Sequence, residues 1–345
     1  AAEHKRDAEE GRIMKRLLVI WLAVCLLLLS GCIEGDISHI GIVKGVAFDV
    51  GETGTYRMTL CVLGKDGGGE LLSAEGDTIG EMKAEIAKKT SKYPFGGHNQ
   101  IVLISDELKS SEYIIKHFAS EEGQRNGAEY IAIVKGEAAP CLTLENDGLI
   151  APVDSVGIID DAQENGEILR ATALMAKNAS EGIGNSITVP YCAVEDERFT
   201  VLGMAVLNDY QVTGILTERE ALGARFLLNG SDRMRMVVDQ DGVQADVELR
   251  DIRVELAVKE RGYEVTVEAL VETGRREDRK KLLEIAQGQI EDCIREAFAA
   301  AQEEGDFLNL AARTLNGNPQ MLEQYRDSWQ ERLRELSMTV TVKLN

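Results

Sequence analysis

Apolar and polar residues alternate most regularly between residues 252 and 271. Two apolar runs, 252–258 and 263–271, occupy every second position and are separated by the turn Glu260-Arg261-Gly262. This period of two predicts an antiparallel pair of strands with one face in water. The residues just before the first run alternate in the opposite parity. A bulge or bend near Arg250-Asp251 is therefore expected, because it keeps both apolar sets inside.

A helical period follows in the sequence. Apolar residues fall on one stripe of a long helix predicted over residues 278–301. The last apolar alternation, residues 338–344, predicts a strand that returns to the sheet. Residues 241–345 are therefore expected to form a carboxyl-terminal α/β domain with antiparallel strands and a long helix.

The region 32–185 mixes short apolar runs with helical patterns, which predicts an amino-terminal α/β domain followed by a linker. Its predicted order is ββαβαβ, with a glycine-rich loop, residues 64–69, that lacks the ending of a phosphate-binding loop. The predicted elements are strands 42–48 and 56–63, a helix from Asp77 or Thr78 to Lys92, strand 100–104, helix 111–118, strand 130–134, a weak helix 162–176 and a linker 180–185.

Residues 186–240 are predicted to be a small middle domain. A hairpin over 200–207 and 210–216 is followed by a helix that Thr217 caps and by a strand at 233–238. The predicted fold class is thus α/β, in the α+β sense: three consecutive small domains, each a mixed or antiparallel sheet with packed helices.

The amino-terminal stretch has the pattern of a cleaved leader. Thirteen apolar residues, Leu17 to Leu29, follow Lys15 and Arg16, which is typical of a secretory signal peptide. A membrane-spanning helix needs about 20 apolar residues, so this run is too short to span. Met14 is the natural start, and residues 1–13 are interpreted as a non-native extension.

The apolar run ends in Leu29-Ser30-Gly31-Cys32, which resembles the lipobox of bacterial lipoproteins. The resemblance implies that residues 1–31 are removed and that Cys32 becomes the first residue, carrying a diacylglycerol thioether and an N-acyl chain such as palmitate. Two acyl chains hold a protein on a bilayer, whereas one gives only marginal binding. We expect the anchor at Cys32 to be the route to the membrane.

Charge excludes other modes of attachment. The chain has 59 acidic and 38 basic residues and a net charge of −21, and removal of residues 1–31 leaves −22. An acidic body is repelled by phosphate backbones and by anionic lipid leaflets. Nucleic acid is therefore not expected as a partner, and attachment to the membrane is expected to be covalent.

The sequence offers no catalytic or metal site. Its mature part has only His39, His98 and His117, none at a zinc-binding spacing, and it lacks a GxSxG motif. His98 follows two glycines and is interpreted as a structural residue of a loop. Cys61, Cys141, Cys192 and Cys293 have no CxxC spacing; buried free thiols are favoured, and two disulfides stay open as an alternative. No enzyme activity, metal or cofactor is predicted apart from the lipid.

Several segments form a pattern through their order along the chain. They are the lipobox at Cys32, residues 40–49, 97–104, 134–138, 202–207, 212–216 and 305–307, then Trp329 and the final strand. In this order they resemble the C subunit of spore nutrient germinant receptors, the GerAC-like lipoproteins. Two departures concern residues 118–126, where the family has an arginine-rich stretch, and residues 33–36, where it has a tryptophan-acidic segment.

This resemblance implies a lipid-anchored protein on the extracytoplasmic face of the spore inner membrane, or cell membrane. The expected partners are the A-type and B-type receptor membrane subunits, and the expected role is assembly or signalling in spore germination. Direct binding of a small nutrient molecule is not expected. The alternatives are a solute-binding lipoprotein of an ABC importer, which would show two similar lobes around a cleft, and a lipid-anchored hydrolase, for which no nucleophile and base can be paired.

Overall fold

The structure is a computed structural model. It describes residues 40–52, 54–64, 67–120, 127–143, 151–229, 233–240, 243–272 and 279–345, together with Trp21. In these residues the chain forms two β-sheets and nine α-helices, so the predicted α/β class is confirmed.

The first sheet runs through residues 40–216 and has ten strands among the described residues. Its order is β10-β9-β8-β6-β5-β1-β2-β3, with the short strands β4 and β7 paired to β1 and β6. The neighbours β1, β5, β6 and β8 are parallel, and the outer strands are antiparallel. The bounds are β1 Ile40–Val50, β2 Tyr56–Leu63, β3 Gly69–Gly76, β4 Tyr93–Phe95, β5 Ile101–Ser105, β6 Tyr130–Val134, β7 Ala171–Thr172, β8 Ser186–Glu195, β9 Arg198–Asn208 and β10 Gln211–Leu216.

Both hairpins predicted in this region are confirmed. β1 pairs antiparallel with β2, and β9 with β10. The structure adds β3 and β8, which the sequence did not predict. β8 is buried at most positions and contains Pro190, so it shows neither alternation nor the usual strand composition.

The number of sheets differs from the expectation. The predicted middle unit was given a sheet of its own, but β8 pairs with β6 and carries β9 and β10 into the first sheet. Residues 180–185 were interpreted as an inter-domain linker. Ser180 ends the helix Ala173–Ser180, and residues 181–185 connect that helix to β8 within this sheet. The boundaries 185/186 and 240/241 stay predictions.

The nine α-helices cover the two sheets. Thr78 caps α1 by accepting a hydrogen bond from the Glu81 amide, as predicted. The weak helix predicted over residues 162–176 is wrong: Gly166, at a φ of +88°, follows the end of α3, and β7 precedes α4. The bounds are α1 Ile79–Lys89, α2 Glu112–Ala119, α3 Ala151–Asn165, α4 Ala173–Ser180, α5 Glu218–Asn229, α6 Arg279–Glu304, α7 Leu310–Gly317, α8 Pro319–Tyr325 and α9 Trp329–Glu335.

The second sheet has the order β11-β12-β13-β14. The predicted alternation is confirmed on β13, where buried and exposed positions alternate, and the predicted irregularity lies between Arg250 and Arg253 on β12. Asp251 has a φ of +51° there. The final strand pairs in parallel with β13, as expected for its return to the sheet. The bounds are β11 Arg233–Gln240, β12 Val243–Lys259, β13 Gly262–Glu272 and β14 Ser337–Leu344.

The first sheet separates two apolar clusters. On one face, Phe48, Val102 and Ile131 pack with residues of α1, α2 and α4. On the other face, Ala47 and Leu103 belong to a cluster that continues through α3, α5 and α6 into the second sheet. The two sheets therefore share one continuous core.

Candidate functional site

The predicted lipid site lies outside the described residues. Cys32 and the preceding Leu29, Ser30 and Gly31 have no described structure, so lipid attachment stays a prediction. The other segments that carry the family resemblance are described, and the structure shows which of them meet.

Asp49 joins two of these segments. It ends the matching run 40–49 and is 2% exposed. Its Oδ1 accepts a hydrogen bond from the Ala138 amide at 2.5 Å, and its Oδ2 accepts one from the Ala139 amide at 3.1 Å. Burial raises the pKa of Asp49, against these two hydrogen bonds. The side chain therefore ties the end of β1 to the turn after β6.

His98, which was interpreted from the sequence as a structural residue of a loop, lies on the surface of the protein. It ends the 3₁₀ helix Gly96–His98 just before β5, and its ring contacts Phe95 edge-on at a centroid distance of 6.2 Å. Phe95 also packs closely over Gly97, where a Cβ atom would lie 2.5 Å from the ring. The loop is shaped by this packing.

Asp306 joins two helices of the carboxyl-terminal region, α7 and α9. The carboxylate is 1% exposed. It accepts hydrogen bonds from the amides of Leu310 and Ala311 at 2.8 and 2.7 Å, and from Nε1 of Trp329 at 2.9 Å. Burial raises the pKa of Asp306 to about 6, against the opposite effect of these three donors. One side chain thus holds the start of α7 and the start of α9 together.

The residue before Asp306 and the end of α6 contact the first sheet. The carbonyl of Glu304 accepts hydrogen bonds from Nδ2 of Asn208 at 3.1 Å and from Oγ1 of Thr213 at 2.8 Å. Gly305 has a φ of +128°, and a Cβ atom there would collide with Ser186. A glycine is required at this position because both the backbone angle and the close approach exclude a side chain.

These contacts bring together residues that the sequence placed far apart. Trp329 is 2% exposed and lies 23 residues after its acceptor, Asp306. The hairpin segments 202–207 and 212–216 belong to β9 and β10, the strands that supply Asn208 and Thr213. We call Asn208, Thr213, Glu304, Asp306 and Trp329 the junction network.

A cleft of about 800 Å³ opens beside the junction network, between α4, the start of β8 and α7. Two of its apolar side chains, Met175 and Leu315, are 48% and 47% exposed. Arg170 stands at this cleft and donates to the hydroxyl of Tyr130 at 2.9 Å. The other apolar lining residues are Leu169, Ala179, Ile183, Ile187, Leu228, Phe307, Ala311 and Ala312.

A second cleft, of about 1180 Å³, lies between β9, α5 and the strands β11 and β12. Next to it, Arg225 is only 2% exposed, and its Nε and Nη1 have no hydrogen-bond acceptor among the described residues. Burial lowers the pKa of Arg225 to about 10, and the charge of Glu167 acts in the opposite direction. Arg225 was not predicted from the sequence. Its spacing was a visible signal, because it lies four residues after the buried Ala221 and so on the same face of α5.

The described residues hold few reactive groups. They contain no group of three or more His, Cys, Asp or Glu side chains that could bind a metal ion. Cys141, Cys192 and Cys293 are free buried thiols, as the sequence favoured, and Cys61 is buried too. Burial raises the pKa of Cys141 to about 12 and that of Cys293 to about 11. No described helix combines the length and the apolar character needed to cross a bilayer.

Two family models match the chain and together cover most of it. The model described as "Spore germination protein N-terminal domain" matches residues 34–194, and the one described as "Spore germination B3/ GerAC like, C-terminal" matches residues 202–345. No curated protein sequence matches the chain.

A solved structure shows the same fold. The crystal structure of the GerBC protein aligns with a TM-score of 0.59 at 14% sequence identity, over 90% of this chain and 99% of that chain. Both matches confirm the resemblance drawn from the sequence. The chain belongs to the GerAC-like family, the C subunits of spore germinant receptors.

Proposed function

We propose that this protein is a lipid-anchored germinant receptor subunit, held on the outer face of the spore inner membrane by acyl chains on Cys32. It is required there for assembly or signalling of the receptor in nutrient-triggered germination. The observation that carries this proposal is the position of the family match. It begins at residue 34, two residues after the cysteine of the lipobox-like sequence.

Its partners in this proposal are the A-type and B-type membrane subunits. A net charge of −22 after cleavage gives the body no general attraction to anionic lipids, so the acyl chains supply the attachment. A protein tethered to the same bilayer as its partners meets them at an effective concentration of about millimolar. Contacts of modest affinity are then sufficient to hold the complex.

The fold supports a role in contact formation. In the junction network, Glu304 accepts hydrogen bonds from the first sheet and the buried Asp306 holds α7 to α9. The two sheets also share one core, so the molecule presents its surfaces to partners in a fixed relation. No nucleophile and base are paired in the segments that carry the family resemblance. We infer that the subunit acts by binding its neighbours and not by catalysis.

The test is the Cys32→Ala variant, expressed from Met14 in spores that lack the wild-type protein. We expect the protein to leave the membrane fraction, the acyl mass to be absent, and the nutrient response to be lost. Cys293→Ala is the matched control, because this cysteine is buried in the fold and should leave the anchor intact. A normal nutrient response from a fully soluble Cys32→Ala protein would overturn the proposal.

The alternative hypothesis, a solute-binding lipoprotein of an ABC importer, makes a different prediction about neighbouring genes. Genes for an A-type and a transporter-like B-type membrane subunit beside this gene would support the receptor proposal. A permease and an ATPase in that position would contradict it. Membership in the germination family already weighs against the importer.

A further inference from the structure

A small apolar surface lies where β1 begins. In the parallel pairing of β1 with β4, Ile40 lies opposite Tyr93 and Ile42 lies opposite Phe95. Residues two apart on a strand point to the same side, so these four side chains share one face. The buried residue Gly41 lies between the two isoleucines and faces the other way. We call Ile40, Ile42, Tyr93 and Phe95 the aromatic edge.

The aromatic edge is exposed. Tyr93 is 66% exposed, and Ile40 and Phe95 are 37% and 36% exposed. An aromatic ring with a hydroxyl, such as that of Tyr93, favours the boundary between lipid and water, where its apolar body and its polar tip both find suitable surroundings. The composition of the edge is therefore that of a surface that contacts membrane headgroups.

The position of the edge along the chain brings it close to the anchor. Cys32 precedes Ile40 by eight residues, and eight residues span at most about 29 Å when fully extended. Ile40 is itself part of the edge, and Tyr93 lies on the adjacent strand. An anchor at Cys32 thus keeps this surface within one short tether of the bilayer.

The charged neighbours of the aromatic edge in the sequence lie on the other side of the strand pair. Lys92 directly precedes Tyr93, but its Cβ lies 3.4 Å from the position that a Cβ of Gly41 would occupy. Lys44 follows Ile42 across a register shift of β1 between Val43 and Gly45, so it does not continue the side of the two isoleucines. The edge is therefore an apolar surface, and its contact with a bilayer does not depend on lipid charge.

The free backbone edge of β4 is poorly suited to a protein strand. β4 has three residues, pairs only with β1 among the described strands, and has Pro94 at its centre. Proline has no amide hydrogen and blocks strand addition at a sheet edge. Lipid is favoured over an added β-strand because the exposed groups are side chains and not backbone donors.

We propose that the aromatic edge docks on the surface of the bilayer that holds the anchor and orients the lipid-anchored body. This inference rests on the proposed anchor at Cys32. Tyr93 and Phe95 enter the headgroup region, and the acidic remainder of the molecule faces away from the bilayer.

The experiment uses the chain from residue 32, which contains every described residue except Trp21. The thiol of Cys32 is coupled to a maleimide phospholipid in vesicles of phosphatidylglycerol and brominated phosphatidylcholine; the other four cysteines are 0% exposed and should not react. In the Tyr93→Trp variant we expect roughly half of the added tryptophan emission to be quenched, because an interfacial indole lies near the brominated chains. The control Leu270→Trp replaces a side chain that is 47% exposed on the second sheet, and its emission should stay unquenched.

A charge variant completes the test. Lys44→Gln with Lys92→Gln, added to Tyr93→Trp, changes charges on the other side of the strand pair and should leave the quenching of Tyr93→Trp unchanged. Equal quenching of Tyr93→Trp and Leu270→Trp would overturn the proposal. The proposal would also be overturned if the tryptophan of Tyr93→Trp became shielded from solvent only after the membrane subunits are added, since the edge would then bind protein.

Failure of the docking proposal can be distinguished from failure of the proposed function. The coupling is chemical and does not depend on lipidation in the cell, whereas mass spectrometry of the native Cys32 tests lipidation alone. Thermal unfolding of each variant shows whether the fold is retained; a variant that has lost it is replaced by Phe95→Trp, for which the same quenching is expected.

Discussion

The two sheets differ in how their faces are covered. In the first sheet, β5 is buried at all five positions because helices or further chain pack on both sides. In the second sheet, β13 is buried on one side, and its other side holds cross-strand ion pairs such as Lys343–Glu268 at 2.9 Å. The first sheet is an interior element, whereas the second presents a broad charged face. A substitution should therefore cost far more in the first sheet than on the wet face of the second.

The largest expected effect is in the first sheet. Phe48 is 0% exposed and contacts Phe118 edge-on at 6.0 Å. Phe48→Ala removes a ring from a closely packed core, and we expect a loss of about 4 kcal/mol in the free energy of unfolding. Urea denaturation followed by circular dichroism measures it. A loss below about 1 kcal/mol, far under the cost of a buried cavity, would show that the two faces are less tightly covered than the contacts indicate.

The next effect lies in the junction network. Asp306→Ala leaves the amides of Leu310 and Ala311 and the indole of Trp329 without their acceptor, and we expect a loss of about 3 kcal/mol. Asp327→Ala, at an exposed carboxylate two residues before Trp329, is the control and should change little. Equal unfolding midpoints for the two variants would contradict the role of the junction network.

A pH effect should follow from the same group. Burial raises the pKa of Asp306 to about 6 from its usual 3.8. The folded carboxyl therefore binds a proton between pH 6 and 4, where the unfolded one has lost it, and this group stabilises the fold as the pH falls through that window. In the chain from residue 32, Trp329 is the only tryptophan. Its emission should shift with a midpoint near pH 6, and the shift should vanish in Asp306→Asn. A Trp329 emission that does not change between pH 4 and 7 would contradict the titration of Asp306 in this range.

The smallest effect is expected on the wet face. Leu270 is 47% exposed, so Leu270→Ser should change the free energy of unfolding by no more than about 0.5 kcal/mol. The adjacent Val271, on the buried side, is 6% exposed, and Val271→Ser should be clearly destabilising. Similar losses for both would mean that the second sheet is covered on both faces.

The same difference in coverage decided what the sequence could predict. On β13 one side is in water, so burial follows the alternation of apolar residues, and the strand pair and the irregularity after Arg250 were foreseeable. β8 is buried on both sides and shows no alternation. β3 begins in a glycine-rich run and leaves Leu71 exposed, so its apolar signal is weak. Periodicity reports a contrast between two faces and is lost where no such contrast exists.

The site was predictable only in part. The residues Gly305-Asp306-Phe307 and Trp329 were singled out by resemblance, but their hydrogen bond is created by the fold across 23 residues. The aromatic edge depends on the parallel register of β1 and β4, which no local pattern encodes. The lipid attachment predicted at Cys32 differs from both, because a lipobox is a run of consecutive residues and can be recognised without the fold.

The order of strands in the first sheet has a consequence for synthesis of the chain. β6 ends at Val134, yet its parallel neighbour β8 begins only at Ser186. While the amino-terminal part emerges first, one side of β6 lacks that partner until more than fifty further residues have been made. An open strand edge of this kind invites pairing with other chains. We therefore expect the nascent chain to be most open to such pairing before β8 has been made.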